Sequence, residues 1–322
     1  MILNIKILMQ LNKNSKIFVA GHKGMVGSSI LRVLKKKGYK KIIKMNRSDL
    51  DLTNQDKTLK FFKKSKPDFV IIAAAKVGGI MANKVLKGDF IYQNLMIQTN
   101  IIHSSYLVGV KKLIFLGSSC IYPKYARQPI KESELLSGKL EETNDAYAIA
   151  KIAGLKMCES YNTQFNTNYI CLMPTNLYGP NDNYDLKNSH FYPALISKIY
   201  TAKKQKKNSI CIWGDGTPKR ELLYVDDLAE ACEFFLKKKV KHSLINIGSG
   251  QEKSIKGFCK FLSKKFKIKL KIKFDKKKPN GTPRKILNIS LAKKYGWKCK
   301  VNLDEGFNLT FKDFKKNQLK NL

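Results

Sequence analysis

The sequence predicts an α/β protein with a Rossmann-type, doubly wound parallel sheet and a smaller α/β substrate domain. Apolar strands alternate with helical segments through the first half of the chain, which is typical of a parallel sheet covered by helices. A glycine-rich loop joins the first strand to the first helix, in the context that dinucleotide-binding folds require. The length of 322 residues fits one large α/β domain with a smaller partner.

The predicted elements follow one another along the chain, with the clearest pattern before residue 180. Strands are expected at 16–20, 41–45, 68–73, 112–117 and 169–173, and helices around 25–37, 55–64, 89–109 and 145–165. Two later segments are expected to return to the sheet domain: 222–236 as a strand edge plus helix, and 244–248 as a strand. The predicted division is therefore a lead-in over 1–15, a nucleotide-binding domain over 16–180 plus 221–250, and a substrate domain over 181–220 plus 251–322.

The N-terminal segment does not have the features of a signal peptide. Its first fourteen residues are partly apolar, but Lys6 interrupts them and they lack a small-residue cleavage site. Either this segment is a disordered lead-in or the true start is Met9. The longest apolar run, 69–75, is too short to span a bilayer, so no membrane association is expected. Seven dispersed cysteines without a C-x-x-C pair indicate a reducing cytoplasm and no zinc or disulfide framework.

The net charge of +38 invites a nucleic-acid-binding interpretation. However, the lysines are spread over the whole chain, only five of the 62 basic residues are Arg, and no nucleic-acid-binding motif is present. We therefore expect a solvated basic surface and no nucleic-acid partner. A positive field would still attract an anionic nucleotide-sugar, and salt would weaken that attraction.

The glycine loop has the spacing G-x-x-G-x-x-G, which is the variant found in extended short-chain reductases. Glycines at these positions allow a tight turn and a close approach of backbone to pyrophosphate, and the N-terminus of the next helix offers free N–H groups to the phosphates. The predicted cofactor contacts in the loop are Gly21, His22, Lys23, Gly24, Met25, Val26 and Gly27.

The residue after the second strand indicates which nicotinamide cofactor is used. NAD-preferring proteins commonly place an acidic residue there for the ribose 2′-hydroxyl, whereas this chain has Arg47. In a chain whose default cation is Lys, an Arg favours planar, forked recognition of an anion, here the 2′-phosphate. NADP is therefore predicted over NAD. The alternative is that Arg47 pairs with Asp49 at the surface.

A Tyr and a Lys four residues apart, Tyr147 and Lys151, are expected on one face of a helix. A nearby ammonium lowers the pKa of a Tyr, which would let Tyr147 exchange a proton with a sugar oxygen near neutral pH. Ser118, on a loop 29 residues before Tyr147, can hold the same oxygen. Tyr-x-x-x-Lys is common by chance, so the pair alone also fits an ordinary helix.

Together these motifs resemble the GDP-L-fucose synthase family of extended short-chain dehydrogenases/reductases, from about Lys16 to the C-terminus. A Cys at position 120 distinguishes this family from dehydratases, which usually carry Thr-Asp-Glu in that loop, and from 4-epimerases. The motifs that carry the resemblance lie at 20–27, 73–80, 90–94, 116–123, 173–180 and 188–190.

The resemblance implies an NADPH-dependent enzyme that converts GDP-4-keto-6-deoxy-D-mannose to GDP-L-fucose. Cys120 would be the base and His190 the acid for epimerisation at C3 and C5. Ser118 and Tyr147 would hold the C4 oxygen during this step, and Tyr147 would then supply the proton when C4 is reduced. Lys151 would tune Tyr147 and hold the nicotinamide ribose. Without the resemblance, Cys120 is equally well interpreted as a small core residue and His190 as a structural histidine.

The resemblance also implies further contacts and an assembly. Pro174, Thr175, Asn176, Leu177 and His190 would contact the cofactor, and Lys198, Trp213, Arg220 and Asn280 the GDP-sugar. Asn280 stands where the family usually has Asp and Lys198 where it often has Arg, so both contacts depart from the family's pattern. The family is dimeric, so a homodimer through the helices at 89–109 and 145–165 is expected. The rival function is a redox-silent nucleotide-sugar 4-epimerase with tightly bound NAD.

Overall fold

The computed structural model describes residues 10–185, 189–278 and 280–320, apart from the side chains of Ile80 and of residues 317–320. Its elements, in chain order, are β1 (Lys16–Ala20), α1 (Met25–Lys36), β2 (Lys41–Ile43), α2 (Gln55–Ser65), β3 (Phe69–Ile72), α3 (Ile80–Val85), α4 (Lys87–Leu107), β4 (Lys112–Leu116), α5 (Asp145–Phe165), β5 (Tyr169–Pro174), β6 (Asn176–Tyr178), α6 (Phe191–Lys204), β7 (Ser209–Trp213), β8 (Lys219–Tyr224), α7 (Val225–Lys237), β9 (Leu244–Ile247), β10 (Glu252–Ser254), α8 (Ile255–Lys265), β11 (Lys271–Asp275), β12 (Arg284–Lys285), α9 (Ser290–Lys294) and α10 (Leu303–Lys320).

The centre of the fold is a six-stranded parallel sheet in the order β2-β1-β3-β4-β5-β9. The chain winds outward in opposite directions from the boundary between β1 and β3, so the loops that follow these two strands leave a crevice between them. Ligands of doubly wound sheets bind in such a crevice, beyond the carboxyl ends of the strands. The fold therefore places the glycine loop and residues 73–79 at one ligand-binding edge.

Both faces of this sheet are covered, which explains why its strands are continuously apolar. Alternate residues of β1 point to opposite sides. Phe18 joins a core cluster with Phe62 of α2 and Leu155 of α5, whereas Ile17 joins a second cluster with Ile30 of α1 and Phe235 of α7. Helices α2, α4 and α5 thus cover one face, and α1 and α7 cover the other.

Most of the remaining elements form a smaller unit, whereas α9 packs on β9 and α3 contacts α4. Strand β8 pairs with β6, β10 and β12, and β7 pairs with β11 in a separate two-stranded sheet. Helices α6, α8 and α10 contribute Ile196, Leu262 and Phe314 to a third core cluster. This unit has its own apolar core, and it meets the large sheet where the predicted ligand crevice opens.

The predicted fold class is confirmed, and every strand and helix predicted before residue 180 is present. Differences at the ends are small: β2 ends at Ile43 rather than 45, and the helix predicted at 89–109 spans Lys87–Leu107. The latter helix stops before Gly109, whose φ of +73° suits the end of a helix.

The strand expected at the start of the 222–236 segment is present as the last residues of β8, which pairs with β6, β10 and β12 and not with the large sheet. The return to the large sheet is made by α7 and β9. The proposed domain boundaries stay a prediction.

The predicted N-terminal lead-in lies partly outside the described residues, which begin at residue 10. From there the chain is packed: Leu11 lies against a core cluster and Ser15 is buried. Among the helices that are described, none combines the length and apolar character needed to cross a bilayer.

Candidate active site

The glycine loop forms a bare backbone cradle at the start of α1. Gly21 has a φ of +79°, and a Cβ there would lie 2.6 Å from the backbone N of Ala74, so no other residue fits. A Cβ on Gly27 would overlap the carbonyl of Gly21. Gly24 is the N-cap residue of α1, so no side chain is hydrogen-bonded to the helix N-terminus, and the first turn contains no acidic residue. The N–H groups of this turn are therefore open to an anion, which fits the pyrophosphate of a dinucleotide.

Cations gather at the end of β2, where the ribose 2′ position of a dinucleotide would lie. Burial, together with the nearby ammonium groups of Lys44 and Lys23, lowers the pKa of His22. Arg47 is exposed beside them. Asp49, the alternative partner of Arg47, is instead hydrogen-bonded by Asn46 at 2.9 Å and by Ser48 at 3.0 Å. This corner carries the positive charge that a 2′-phosphate needs.

Ser118, Tyr147 and Lys151 meet at the carboxyl end of β4. Tyr147 and Lys151 lie one turn apart on α5, and Ser118 is near enough to Tyr147 to lower the pKa of its hydroxyl. The Lys151 ammonium is buried, donates to the Leu116 carbonyl at 2.9 Å and lies 5.8 Å from the centroid of the Tyr147 ring. The three predicted side chains are thus neighbours.

The expected lowering of the Tyr147 pKa is wrong for this structure. Burial and the nearby Cys120 raise the Tyr147 pKa, and Ser118 only partly opposes them. Lys151 does not reverse this, because its ammonium is directed at the Leu116 carbonyl and burial lowers its own pKa to about 8. Tyr147 is therefore held as a neutral proton donor.

Cys120 lies in a single turn of 3₁₀ helix, Ser119–Ile121, immediately after β4. The Ser118 hydroxyl caps this turn by accepting from the Cys120 N–H at 3.3 Å. The Cys120 sulfur itself accepts two hydrogen bonds, from Asn144 Nδ2 at 3.3 Å and from Lys285 Nζ at 3.4 Å. A cation and an amide donor at the sulfur both stabilise a thiolate, which is the form that acts as a base or nucleophile.

His190 caps the N-terminus of α6 through its backbone. Burial, followed by the charge of Lys285, lowers its pKa, so the ring is mostly neutral at pH 7 and its imidazolium is a stronger acid than a free one. Lys285 therefore acts on both groups: its Nζ lies 3.4 Å from the Cys120 sulfur, and its charge contributes to the lowered His190 pKa.

Several of the site residues are enclosed by protein but not sealed from solvent. His190 keeps more than a third of its surface open, and Tyr147 and Arg220 are partly open, yet protein surrounds all three closely enough to shift their pKa values through burial. Groups that are both enclosed and reachable by solvent are accessible to a ligand.

The four predicted substrate contacts also lie close together. Lys198 donates to the Cys211 carbonyl on β7 at 3.3 Å, and Trp213 at the end of that strand is 45% exposed. Arg220 donates to the Asn280 carbonyl at 3.4 Å. The Asn280 amide oxygen accepts from Asp215 N at 2.9 Å, so here it holds a loop. Burial lowers the Arg220 pKa to about 10, which indicates a cation that an anion would stabilise.

The remaining predicted cofactor residues follow β5 at the same sheet edge. Thr175 N donates to the Ile247 carbonyl at 3.0 Å, and Asn176 Nδ2 donates to the Glu221 carbonyl at 3.0 Å. Asn176 and Leu177 belong to β6, which pairs with β8, and Pro174 ends β5. Asn188, part of the motif that includes His190, lies outside the described residues.

Two site residues were missed by the sequence analysis, Asn144 and Lys285. Asn144 precedes Tyr147 by three residues, and its position at the start of α5 is a signal that could have identified it. No pattern in the sequence around Lys285 marks it as a site residue. It reaches Cys120 because β12 pairs with β8, which places Lys285 opposite Arg220.

We predict that Lys285→Met slows alkylation of Cys120 by iodoacetamide severalfold, because the ammonium that stabilises the thiolate is lost. Peptide mass spectrometry measures the rate, with the exposed Cys211 as an internal reference. Lys60→Met, on the exposed side of α2, removes the same charge elsewhere and should leave the rate unchanged. An unchanged Cys120 rate in Lys285→Met would contradict the contact.

Comparison with known proteins places this chain in a family. Residues 17–248 match the model of the NAD dependent epimerase/dehydratase family. The chain is 50% identical to GDP-L-fucose synthase 1 of Arabidopsis thaliana, covering 95% of both chains, and 46% identical to GDP-L-fucose synthase of Escherichia coli, covering 94% and 97%. A solved GDP-mannoheptose C4 reductase from Campylobacter jejuni with NADP bound has a TM-score of 0.86 at 36% identity, covering 95% and 99%. The chain therefore belongs to the NAD dependent epimerase/dehydratase family, and the resemblance to the GDP-L-fucose synthases is confirmed.

Proposed function

We propose that the chain converts GDP-4-keto-6-deoxy-D-mannose to GDP-L-fucose with NADPH, by epimerisation at C3 and C5 followed by reduction at C4. The observation that carries this proposal is the Cys120 sulfur, held by Asn144 and Lys285 beside Ser118 and Tyr147. Reduction alone needs a proton donor, here Tyr147, and a hydride source. A further base and acid, here Cys120 and His190, are needed only if carbon centres are also inverted. Relatives that carry the name GDP-L-fucose synthase at 46–50% identity support the same activity.

Epimerisation uses the acidity that a 4-keto group gives to its neighbouring carbons. A thiolate at Cys120 removes a proton from C3 or C5, and a neutral Tyr147 and Ser118 donate hydrogen bonds to the enolate oxygen that forms at C4. His190 protonates the opposite face in its imidazolium form, which is the minor form at pH 7 but a stronger acid than a free imidazolium. Each inversion returns both side chains to their starting states once they exchange protons with solvent.

Reduction at C4 uses Tyr147, Lys151 and the predicted cofactor residues of the same site. NADPH, when bound, supplies the hydride for C4. Tyr147 gives its proton to the C4 oxygen, which its raised pKa keeps available. Lys151 lies one turn from Tyr147, and its ammonium would have to turn from the Leu116 carbonyl to hold the nicotinamide ribose. The glycine cradle and the cations at the end of β2 fit the pyrophosphate and the 2′-phosphate of NADP, and two solved relatives have NADP bound.

The rival function, a redox-silent 4-epimerase with tightly bound NAD, is not favoured. Such an enzyme has no use for the thiol at Cys120 or for the cations around Arg47. The likeness to the UDP-glucose 4-epimerase of Thermotoga maritima, at 23% identity and a TM-score of 0.83, shows a shared fold alone.

Product analysis tests the proposed function. The chain is incubated with GDP-4-keto-6-deoxymannose and NADPH, and the nucleotide-sugar is separated and identified by NMR. We expect GDP-L-fucose with consumption of one NADPH per product. Conversion of UDP-glucose to UDP-galactose without added NADPH would instead support the rival function.

We predict that Arg47→Ala weakens NADPH binding by roughly 1.5–3 kcal/mol, the contribution of a hydrogen bond to a charged group, while NADH binding changes little. Dissociation constants for both cofactors, measured by fluorescence titration, check this. Lys60→Ala is the control for a lost surface charge. Equal losses for NADPH and NADH would show that Arg47 does not bind the 2′-phosphate.

We predict that Cys120→Ser and Tyr147→Phe separate the two halves of the reaction. In Cys120→Ser, exchange of the C3 and C5 protons with solvent deuterium should collapse while some hydride transfer to the unepimerised sugar survives. In Tyr147→Phe, NADPH oxidation should fall by about 10²–10⁴, since a positioned acid is lost, with a smaller effect on exchange because Ser118 remains. Single-turnover NADPH oxidation beside deuterium exchange gives both readings. Unchanged exchange in Cys120→Ser, or parental oxidation in Tyr147→Phe, would overturn the respective role.

We further propose that the chain is a homodimer through α4 and α5. The two helices pack against each other over the large sheet, and their outer sides carry large exposed apolar residues, Tyr92 at 62% and Ile149 at 47%. Apolar side chains on the sides of helices that face away from a core need cover. A second copy of the chain presents the same two helices about a twofold axis and covers both at once.

We predict that the double variant Tyr92→Glu, Ile149→Glu sediments as a 36.8 kDa monomer, whereas the parent sediments at twice that mass. The negative charges would be buried without partners in the dimer. Leu136→Glu, at an exposed apolar residue away from both helices, should stay dimeric. A monomeric parent would overturn the proposal.

We place this activity in the cytoplasm. All seven cysteines are free thiols, which a reducing compartment maintains, and no helix among those described is suited to cross a bilayer. Subcellular fractionation with an antibody against the chain tests this, and recovery in a secreted fraction would contradict it.

A further inference from the structure

The loop that follows β6 is tied to two distant helices through Asn181. Its backbone N–H donates to Asp313 Oδ2 on α10 at 2.9 Å, and its side-chain Nδ2 donates to Ser28 Oγ on α1 at 3.2 Å. Asn181 has a φ of +66°, a left-handed conformation that Asn adopts more readily than most residues. One residue therefore joins the nucleotide-binding helix, the C-terminal helix and the loop.

The Ser28 end of this connection lies next to the cofactor cradle. Ser28 follows the glycine loop directly, on the first turn of α1, and its hydroxyl donates to the Met25 carbonyl at 3.0 Å. Arg32 Nη1 donates to the same hydroxyl at 3.4 Å, and Arg32 is paired with Asp226 on α7. The Ser28 hydroxyl, which accepts from Asn181, is thus fixed to the first turn of α1, where the N–H groups are open to a pyrophosphate.

The other end of the connection leads to His190. After Asn181 the chain is held by local hydrogen bonds, from Asp185 N to Asn183 Oδ1 at 3.0 Å and from Ser189 N to the Asp185 carbonyl at 2.9 Å. Tyr184 packs on Phe314 of α10 with ring centroids 4.7 Å apart. His190 comes directly after Ser189, which the last of these bonds ties to Asp185, so the position of residues 181–185 bears on where the imidazole lies.

We propose that Asn181 is a positioning residue that couples the cofactor site to the sugar site. Cofactor bound in the glycine cradle fixes the first turn of α1, Asn181 transmits that position to the loop, and His190 is then set for the sugar. The two ligands therefore bind cooperatively. This inference rests on the proposed function, because it assumes that a nicotinamide dinucleotide and a GDP-sugar occupy the two sites.

Calorimetry with two unreactive ligands tests the coupling. GDP-mannose, which has no keto group, is titrated into the protein alone and into the protein saturated with NADP⁺. In the parent we expect NADP⁺ to tighten GDP-mannose by about fivefold or more, the usual lower range of coupling between sites, and GDP-mannose to tighten NADP⁺ by the same factor. In Asn181→Gly the factor should fall to about one.

The variants are chosen so that backbone effects are excluded. Glycine adopts the conformation of Asn181 without strain, and the bond from its N–H to Asp313 remains possible. Asn166→Gly makes the same substitution in the same backbone region, at the exposed end of α5, and should keep the full coupling. Ser28→Ala removes the acceptor instead of the donor, and combining it with Asn181→Gly should cause no further loss.

The outcomes are distinct. Full coupling in Asn181→Gly, or no coupling in a parent that binds both ligands, overturns the role of Asn181 and leaves the proposed function intact. Coupling lost in Asn166→Gly as well would assign the effect to backbone entropy and also overturn it. A parent that binds neither ligand overturns the proposed function, and the inference with it.

Discussion

The contact between the Lys285 ammonium and the Cys120 sulfur is the interaction on which the rest of the site depends. Cys120 follows a strand of the large sheet, and Lys285 belongs to a strand of the smaller unit. Backbone hydrogen bonds hold the two parts together, from Ile130 N to the Ile286 carbonyl and from Asn288 N to the Ile130 carbonyl, both at 2.8 Å. The thiol on one side and the cation on the other are thereby fixed across the cleft.

Several cations converge on the site, and their partial burial makes the site suited to anions. Burial lowers the pKa of Lys151 to about 8 and that of Arg220 to about 10, because each is held away from water. A partly desolvated cation binds an anion more strongly than an exposed one. The site is thus prepared for negative charge that arrives with the substrate, as diphosphate, or that forms during the reaction, as a thiolate or an enolate. The chain's net charge of +38 acts in the same direction over longer distances.

Local patterns allowed much of this to be predicted from the sequence. The glycine loop, the apolar strands and the Tyr147–Lys151 spacing are short-range signals, and the structure has the corresponding elements at nearly the predicted residues. The pairing of β8 with β6, β10 and β12 could not be predicted, because a strand's partner depends on the path of the whole chain. Lys285 was missed for the same reason, since 165 residues separate it from Cys120. The Tyr147 pKa was predicted in the wrong direction because spacing along a helix does not tell where the Lys151 ammonium points or how deeply it is buried.

The central claim is that one cleft carries both a thiol–imidazole pair for proton exchange at carbon and a tyrosine for reduction. The most direct measurement is the position of solvent deuterium in the product formed in D₂O from unlabelled substrate and unlabelled NADPH. The account predicts GDP-L-fucose with deuterium at C3 and at C5 and with unlabelled hydrogen at C4. A 6-deoxyhexose reduced at C4 without deuterium at C3 or C5 would contradict it, because Cys120 and His190 would then have no part in the chemistry.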